Sequence, residues 1–412
     1  MSRSRVFRCR VGLQVLLLAG GFAARERAAH AAPVPCSTLP NPIVIESGDT
    51  QEPLLKALGR KLRDSSVKPM SVIYVTTGSC TLIDDFYSGR KLAASSNAFY
   101  TPSLADDPTW DPAKSPSPQC TVDAAGGLPL DLAISAVFVS ACTQATPPAG
   151  VGLISGPIQA YTFIAPKASS QLAITAEEAY FTFGFGQAGM VKPWLDETSM
   201  FIRPATKSTI VSLGNNIGVP PAKWKGVPKN ASTEVLNLVA TSPNPDKTIG
   251  ILGAEIADQH RDTVSVLAYR AYRQKFAYYP DSSATSFDKR NLRDGHYTPW
   301  SPTVYLAAVD ASGVPTGANV KYFTDLVLGN VTTPPSDVDG LSIVISKGII
   351  PDCAMKVSRK FDGGDLSLYA PAAPCGCFYE SKVAGSTTTC TACTDDGPCG
   401  GGKCRHGVCE AK

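Results

Sequence analysis

An α/β fold with a small disulfide-rich tail is what this 412-residue sequence predicts, on three observations. Short apolar runs rich in β-branched residues, Ile43-Val44-Ile45, Val72-Ile73-Tyr74-Val75 and Leu132-Ala133-Ile134, are set apart by Gly, Pro and Ser and read as buried strands. Between such runs lie stretches with apolar residues three and four apart, at 52–63, 175–183 and 255–276, which read as helices. Strands alternating with helices predict largely parallel sheets, and the length suffices for two lobes, each with its own core. From Gly385 onward this periodicity stops, and Cys390-x2-Cys393-x5-Cys399-x4-Cys404-x4-Cys409 predicts a segment held by cross-links rather than by a core. Its five cysteines are odd in number, which requires a bridge to the body or to another chain, with Cys375 or Cys377 nearest.

The N-terminus sets the compartment. Arg3, Arg5, Arg8 and Arg10 precede an apolar run at 11–19, and Ala29-His30-Ala31 offers small residues at the −3 and −1 positions, which predicts a secretory signal cleaved after Ala31. Its removal takes six Arg and one Glu, so a formal charge of +3 becomes −2. No basic stripe remains for a nucleic acid, and no later apolar run is long enough to span a membrane. Cys36 sits in Pro33-Val34-Pro35-Cys36, which is no lipid-attachment pattern, so a periplasmic or extracellular protein is expected. Twelve cysteines remain, an even number that points to disulfides rather than to a metal, and no cofactor is expected. First pairings to expect are Cys36 with Cys80, Cys120 with Cys142, and Cys353 with Cys375 or Cys377.

Three turns repeat one theme, a strand entering a Gly/Ser/Thr turn that opens a helix and aims free N–H groups at one point. They are Gly48-Asp49-Thr50 before the apolar stretch at 54–58, Gly78-Ser79 after the strand at 72–75, and Arg203 with Lys207-Ser208-Thr209. Each taken alone is equally a helix cap or, for Arg203 and Lys207, a surface cation.

In this order, and with Asp131-Leu132-Ala133-Ile134-Ser135, Ile174-Thr175-Ala176-Glu177-Glu178, Phe183-Gly184-Phe185-Gly186 and Leu292-Arg293-Asp294-Gly295-His296-Tyr297-Thr298-Pro299-Trp300, they make a wider pattern. Over about residues 40–380 the chain resembles the phosphate-binding subunits of bacterial ABC-type uptake systems, and among them a divergent myxobacterial-type branch with a Cys-rich tail. The resemblance implies the two-lobed type II periplasmic-binding-protein fold, with lobe 1 at 36–155 and 256–384, lobe 2 at 156–255, a hinge between them and a tail at 385–412. Crossings at 156–160 and 248–252 go with it. It further implies a small phosphate-like oxyanion held by Gly48, Asp49, Thr50, Gly78, Ser79, Ser135, Arg203, Lys207, Ser208 and Thr209, and an ABC-type membrane permease as partner.

Two positions depart from that family. Ala136 stands where a buried Asp accepts the proton of hydrogen phosphate, and Ser208 puts a Cβ where a Gly lets backbone approach the ligand. The second reading is therefore a binding-protein scaffold reused for envelope or adhesive interaction. Enzyme motifs are wanting: there is no G-x-S-x-G and no H-E-x-x-H, and Ser65-Ser66-Val67-Lys68 lacks the motifs that accompany S-x-x-K in hydrolases. Glu177-Glu178 and Asp84-Asp85 are adjacent and cannot straddle a substrate, so no catalytic residue is expected.

Overall fold

The computed structural model describes residues 34–330 and 337–411, so the predicted signal at 1–31 lies outside the described residues. The first part of the chain holds β1 (Val34–Pro35), β2 (Pro42–Gly48), α1 (Glu52–Arg63), β3 (Ser71–Thr77), α2 (Ser79–Tyr87), β4 (Lys91–Leu92), β5 (Asn97–Tyr100), β6 (Gln119–Thr121), β7 (Leu128–Pro129) and β8 (Leu132–Ser135). The long β9 (Val151–Pro166) leads to β10 (Ala173–Thr175), α3 (Ala176–Phe185), β11 (Met200–Ile202), α4 (Ser208–Ile217), β12 (Val227–Pro228), α5 (Ser232–Ala240), β13 (Ile249–Gly253), α6 (Ala254–Gln259), β14 (Val264–Val266) and β15 (Ala268–Arg270). Next come α7 (Arg290–Arg293), β16 (Trp300–Ala308), α8 (Ala318–Leu328), α9 (Gly340–Ser346), β17 (Val357–Ser358), β18 (Ser367–Leu368) and α10 (Gly376–Lys382). The tail ends in a hairpin of β19 (Lys403–Arg405) and β20 (Val408–Glu410).

Twelve strands form one sheet in the order β1-β6-β5-β3-β2-β8-β16-β9-β13-β11-β12, with β14 also on β9. The expected parallel pairs are present, β2 with β3 and β8 on one side and β11 with β12 and β13 on the other. The sheet as a whole is mixed, because β9 runs antiparallel to β16, β13 and β14. This single strand joins the two halves: its first ten residues pair with β16, and 161–166 pair with β13 and β14. The crossing segments expected at 156–160 and 248–252 fall on β9 and at β13, neighbouring strands.

Local chemistry explains the elements. β2 and β3 lie inside the sheet, so Ile43, Val44, Ile45, Val72, Ile73 and Tyr74 are all buried, the unbroken apolar run of a strand covered on both faces. α1 carries Pro53 in its first turn and Arg60, Lys61 and Arg63 in its last, and buries Leu54, Leu55, Leu58 and Leu62. α3 opens on a capping box, in which Glu178 N donates to Thr175 Oγ1 at 3.0 Å and Thr175 N to Glu178 Oε2 at 2.8 Å. The helix expected over 255–276 is a correction: α6 stops at Gln259, and β14 and β15 follow. Val264 and Val266 are β-branched, and their spacing of two fits a strand.

Six disulfides occur among the described residues: Cys36–Cys120, Cys80–Cys142, Cys353–Cys375, Cys377–Cys390, Cys393–Cys404 and Cys399–Cys409. The pairings expected for Cys36 with Cys80 and Cys120 with Cys142 are corrected. β1 lies parallel on β6 with Val34 beside Cys120, which delivers Cys36 to Cys120, while α2 packs on β8 and brings Cys80 to the turn after it. The sulfurs of Cys393, Cys399 and Cys409 lie within 4.8 Å of one another, and each is already in a bridge.

The tail is seated on the body. The buried Glu410 carboxylate accepts from the N–H groups of Cys377 at 2.8 Å and Phe378 at 2.7 Å, capping the start of α10, and His406 packs on the Phe378 ring. Under β16 lies a second buried carboxyl, Asp362, which accepts from Ser301 Oγ and from Phe138 N at 3.0 Å. Beside it, Arg359 lies on the Trp300 ring, and burial holds its guanidinium down at about 10 against the pull of Asp362. Burial pushes Asp362 up to about 7.

Two outcomes are expected. Glu410→Ala leaves two helix-start donors uncapped and should cost about 1–3 kcal/mol in denaturant unfolding, with Glu410→Gln closer to the parent. The raised Asp362 carboxyl binds its proton more tightly folded than unfolded, so its contribution to stability falls as pH rises from about 4 to about 7, by at most ~1.4 kcal/mol per pH unit. Unfolding midpoints of Asp362→Asn compared between pH 5 and pH 8 should show a shallower decline than the parent's.

Candidate functional site

The three turns expected to bind an anion do converge. β2 ends at Gly48 and delivers Asp49; β3 ends at Thr77 and leads through Gly78 to α2; β11 leads through Arg203 and Lys207 to α4. Asp49 and Thr77 come from one half of the sheet, Arg203 and Lys207 from the other, and they meet at one carboxylate.

That carboxylate is Asp49. Its Oδ2 accepts from Arg203 Nη2 at 2.6 Å, from Ser232 N at 3.1 Å and from Ser232 Oγ at 2.9 Å, and its Oδ1 lies 3.4 Å from Lys207 Nζ. Arg203, 1 % exposed, also donates to Asn230 O at 2.8 Å and to Ser232 Oγ at 3.1 Å, and Lys207 donates to Thr77 O at 2.8 Å. Planar Arg fork, Lys point charge and a helix-start N–H make a seat suited to an oxyanion. In this structure a side chain of the protein itself takes it. Burial pushes the Asp49 carboxyl up, but the Arg203 and Lys207 charges and the Ser232 hydrogen bond outweigh it and hold the group below its ordinary value. Burial holds the Lys207 ammonium down, with Asp49 pulling the other way.

The other expected residues divide. Gly78 is the point of closest backbone approach, where a Cβ would lie 2.6 Å from Thr206 O, and the next turn's Cys80 N donates to that same carbonyl at 3.1 Å. One of the α2 donors expected to face an anion is thus taken by backbone. Ser79 Oγ accepts from Ala136 N at 3.0 Å, and Ser135 closes its own turn by donating to Val137 O at 2.8 Å. Gly48 lies beside Thr50 and Ser79. Thr50, Ser208 and Thr209 are buried, Thr50 with an Oγ1 that has no hydrogen-bond partner among the described residues.

Sequence reading missed the fourth element of the seat, Asn230 and Ser232 at the start of α5. Asn230-Ala231-Ser232-Thr233-Glu234 carries a recognisable helix-start pattern, and Ala231 N does donate to Glu234 at 2.8 Å. It missed too the polar chain beneath: Gln51 Nε2 donates to Gln159 Oε1 at 2.9 Å, and Gln159 Nε2 to the fully buried Glu255. Burial first, and then the charge of Asp49, pushes Glu255 well above the ordinary carboxylate range. In front of the seat a cavity of about 700 Å³ opens between α1, the loop at 112–116, α5 and the ends of α6 and α9. No helix among the described residues is long and apolar enough to cross a membrane.

Comparison with known proteins finds no matching family model and no matching curated protein. Among solved structures the chain is similar to one titled as a phosphate ABC transporter substrate-binding protein with bound phosphate from Clostridium perfringens, at 12 % identity, covering 76 % of this chain and 99 % of that one with a TM-score of 0.49. It is similar also to an ABC-type phosphate transport receptor from Vibrio cholerae, at 12 % identity over 75 % and 99 % with a TM-score of 0.45. A third is the reduced form of the OxyR regulatory domain from Pseudomonas aeruginosa, at 12 % identity over 66 % and 90 % with a TM-score of 0.36. At these identities and TM-scores the likenesses say nothing of what this chain binds; the α/β class and the disulfide-rich tail stand on the sheet, helices and bridges described above.

Proposed function

We propose that this chain is an exported solute-binding protein that takes a phosphate-like oxyanion in the seat made by Arg203, Lys207 and Ser232. One observation carries the reading: a carboxylate is already bound there by four donors from two turns, as a solute oxyanion would be. Residues 36–155 with 256–384 and residues 156–255 act as two lobes, and Asp49, carried by the first, is the internal anion that the solute displaces when the lobes part and close again. Six disulfides support folding in an oxidising compartment, and the predicted signal supplies the route. An ABC-type permease is the partner for such a protein, and no catalytic step is assigned to the site.

The same ion pair favours a second reading. If Asp49 holds the seat permanently, the chain is a binding-protein scaffold locked without solute and used for envelope or adhesive contact through its seated tail.

Thermal-shift and calorimetric titration of the oxidised protein with inorganic phosphate and sulfate separates the two. A ligand at ~100 times its Kd stabilises by about 2.7 kcal/mol. The solute-binding reading expects saturable phosphate binding, lost in Arg203→Ala and tightened at least about tenfold in Asp49→Asn, which removes the competing charge. Asp49→Asn that unfolds no more readily than the parent and still binds neither anion sinks this reading in favour of the locked scaffold.

A further inference from the structure

The cavity in front of the seat is far larger than an inorganic oxyanion requires. At about 700 Å³ it falls in the range of sites that enclose organic molecules. Its charges are arranged in two places. Lys207 belongs to the seat, whereas Lys56 from α1 and Lys347 from the end of α9 line the cavity on other elements. Lys56 donates to Ser115 O at 2.6 Å, which fixes its ammonium against the 112–116 loop. The Lys347 N–H donates to Val344 O at 3.1 Å, but its ammonium makes no hydrogen bond or ion pair among the described residues, although the residue is half-buried. Burial, together with the Lys56 charge, holds the Lys347 ammonium below its ordinary value, with Asp111 pulling the other way. Two like charges in a partly dry wall favour an anion beside them. No acidic group makes an ion pair with either among the described residues: Asp49 is held by Arg203, Glu52 accepts from Tyr74 at 3.1 Å, and Asp111, whose charge acts on both ammonium groups, lies 3.9 Å from Lys114.

We propose that the solute is an organic molecule with two anionic groups, one oxyanion in the seat at Arg203 and Lys207 and a second at Lys56 and Lys347, joined by a short carbon skeleton. This rests on the solute-binding reading and narrows its substrate class from an inorganic ion to an organic molecule with two separate anionic groups. Inorganic phosphate fills only the seat and leaves the second cation pair bare.

The test titrates the oxidised protein with three probes, inorganic phosphate, glucose 6-phosphate and fructose 1,6-bisphosphate, by calorimetry. The bisphosphate is expected to bind at least about tenfold more tightly than either of the others. Lys347→Ala should remove that advantage, Lys347→Arg should restore it, and neither should change the affinity for inorganic phosphate. Arg203→Ala should abolish binding of all three. Inorganic phosphate binding as tightly as the bisphosphate, or a bisphosphate advantage that survives Lys347→Ala together with Lys56→Ala, overturns the proposal of two anionic groups and leaves the seat reading intact. Binding of none of the three by the parent protein or by Asp49→Asn overturns both.

Discussion

Everything near the site turns on the burial of one carboxylate. An ionised Asp removed from water costs several kcal/mol unless its oxygens are matched by donors and its charge by cations. Asp49 is matched by Arg203, Lys207 and both polar groups of Ser232, and in being matched it draws together the ends of β2 and β11 and the start of α5. The two cations are at least as buried as the carboxylate, so each needs an opposite charge beside it, from the protein or from a bound anion. The same charge adds to burial in pushing the Glu255 carboxyl up, beside the Gln51–Gln159 chain that ends on it. Two acids near one seat are thus pushed in opposite directions, one held down by paired cations, the other raised by burial and by its neighbour's charge.

Much of this was legible in the amino-acid order, and for identifiable reasons. Strands buried on both faces leave apolar runs, so β2, β3 and β8 could be read directly, and α1 and α3 showed in apolar residues three and four apart. Turns that start helices carry short polar residues, so three of the four elements of the seat could be found. What could not be read is what depends on distance across the fold. Apolar residues at 264–269 fit a helix as well as a strand, and only pairing with β9 and β10 decides for strands. Which cysteine meets which follows from β1 lying on β6 and α2 on β8, facts of sheet order that spacing does not encode. Asp49 looked like a ligand-binding residue because its turn is right for one; that its own side chain would be the anion required knowing that Arg203, 154 residues later, arrives at 2.6 Å.

The tail shows the same division. Its dependence on cross-links was plain from composition, yet its attachment is not by cross-link alone, since Glu410 takes the role of a helix cap for α10 and His406 stacks on Phe378. A segment without a core of its own thus borrows the order of the body through one carboxylate and one ring.

The Cys80–Cys142 bridge carries a consequence for timing. Cys80 is the second residue of α2, two residues after the Gly78 that lies against Thr206, and its bridge ties the start of that helix to the turn following β8. While both thiols are reduced, nothing covalent holds this corner in register. Oxidation therefore fixes in place the backbone that meets the Arg203 turn, since Cys80 N is itself the donor to Thr206 O.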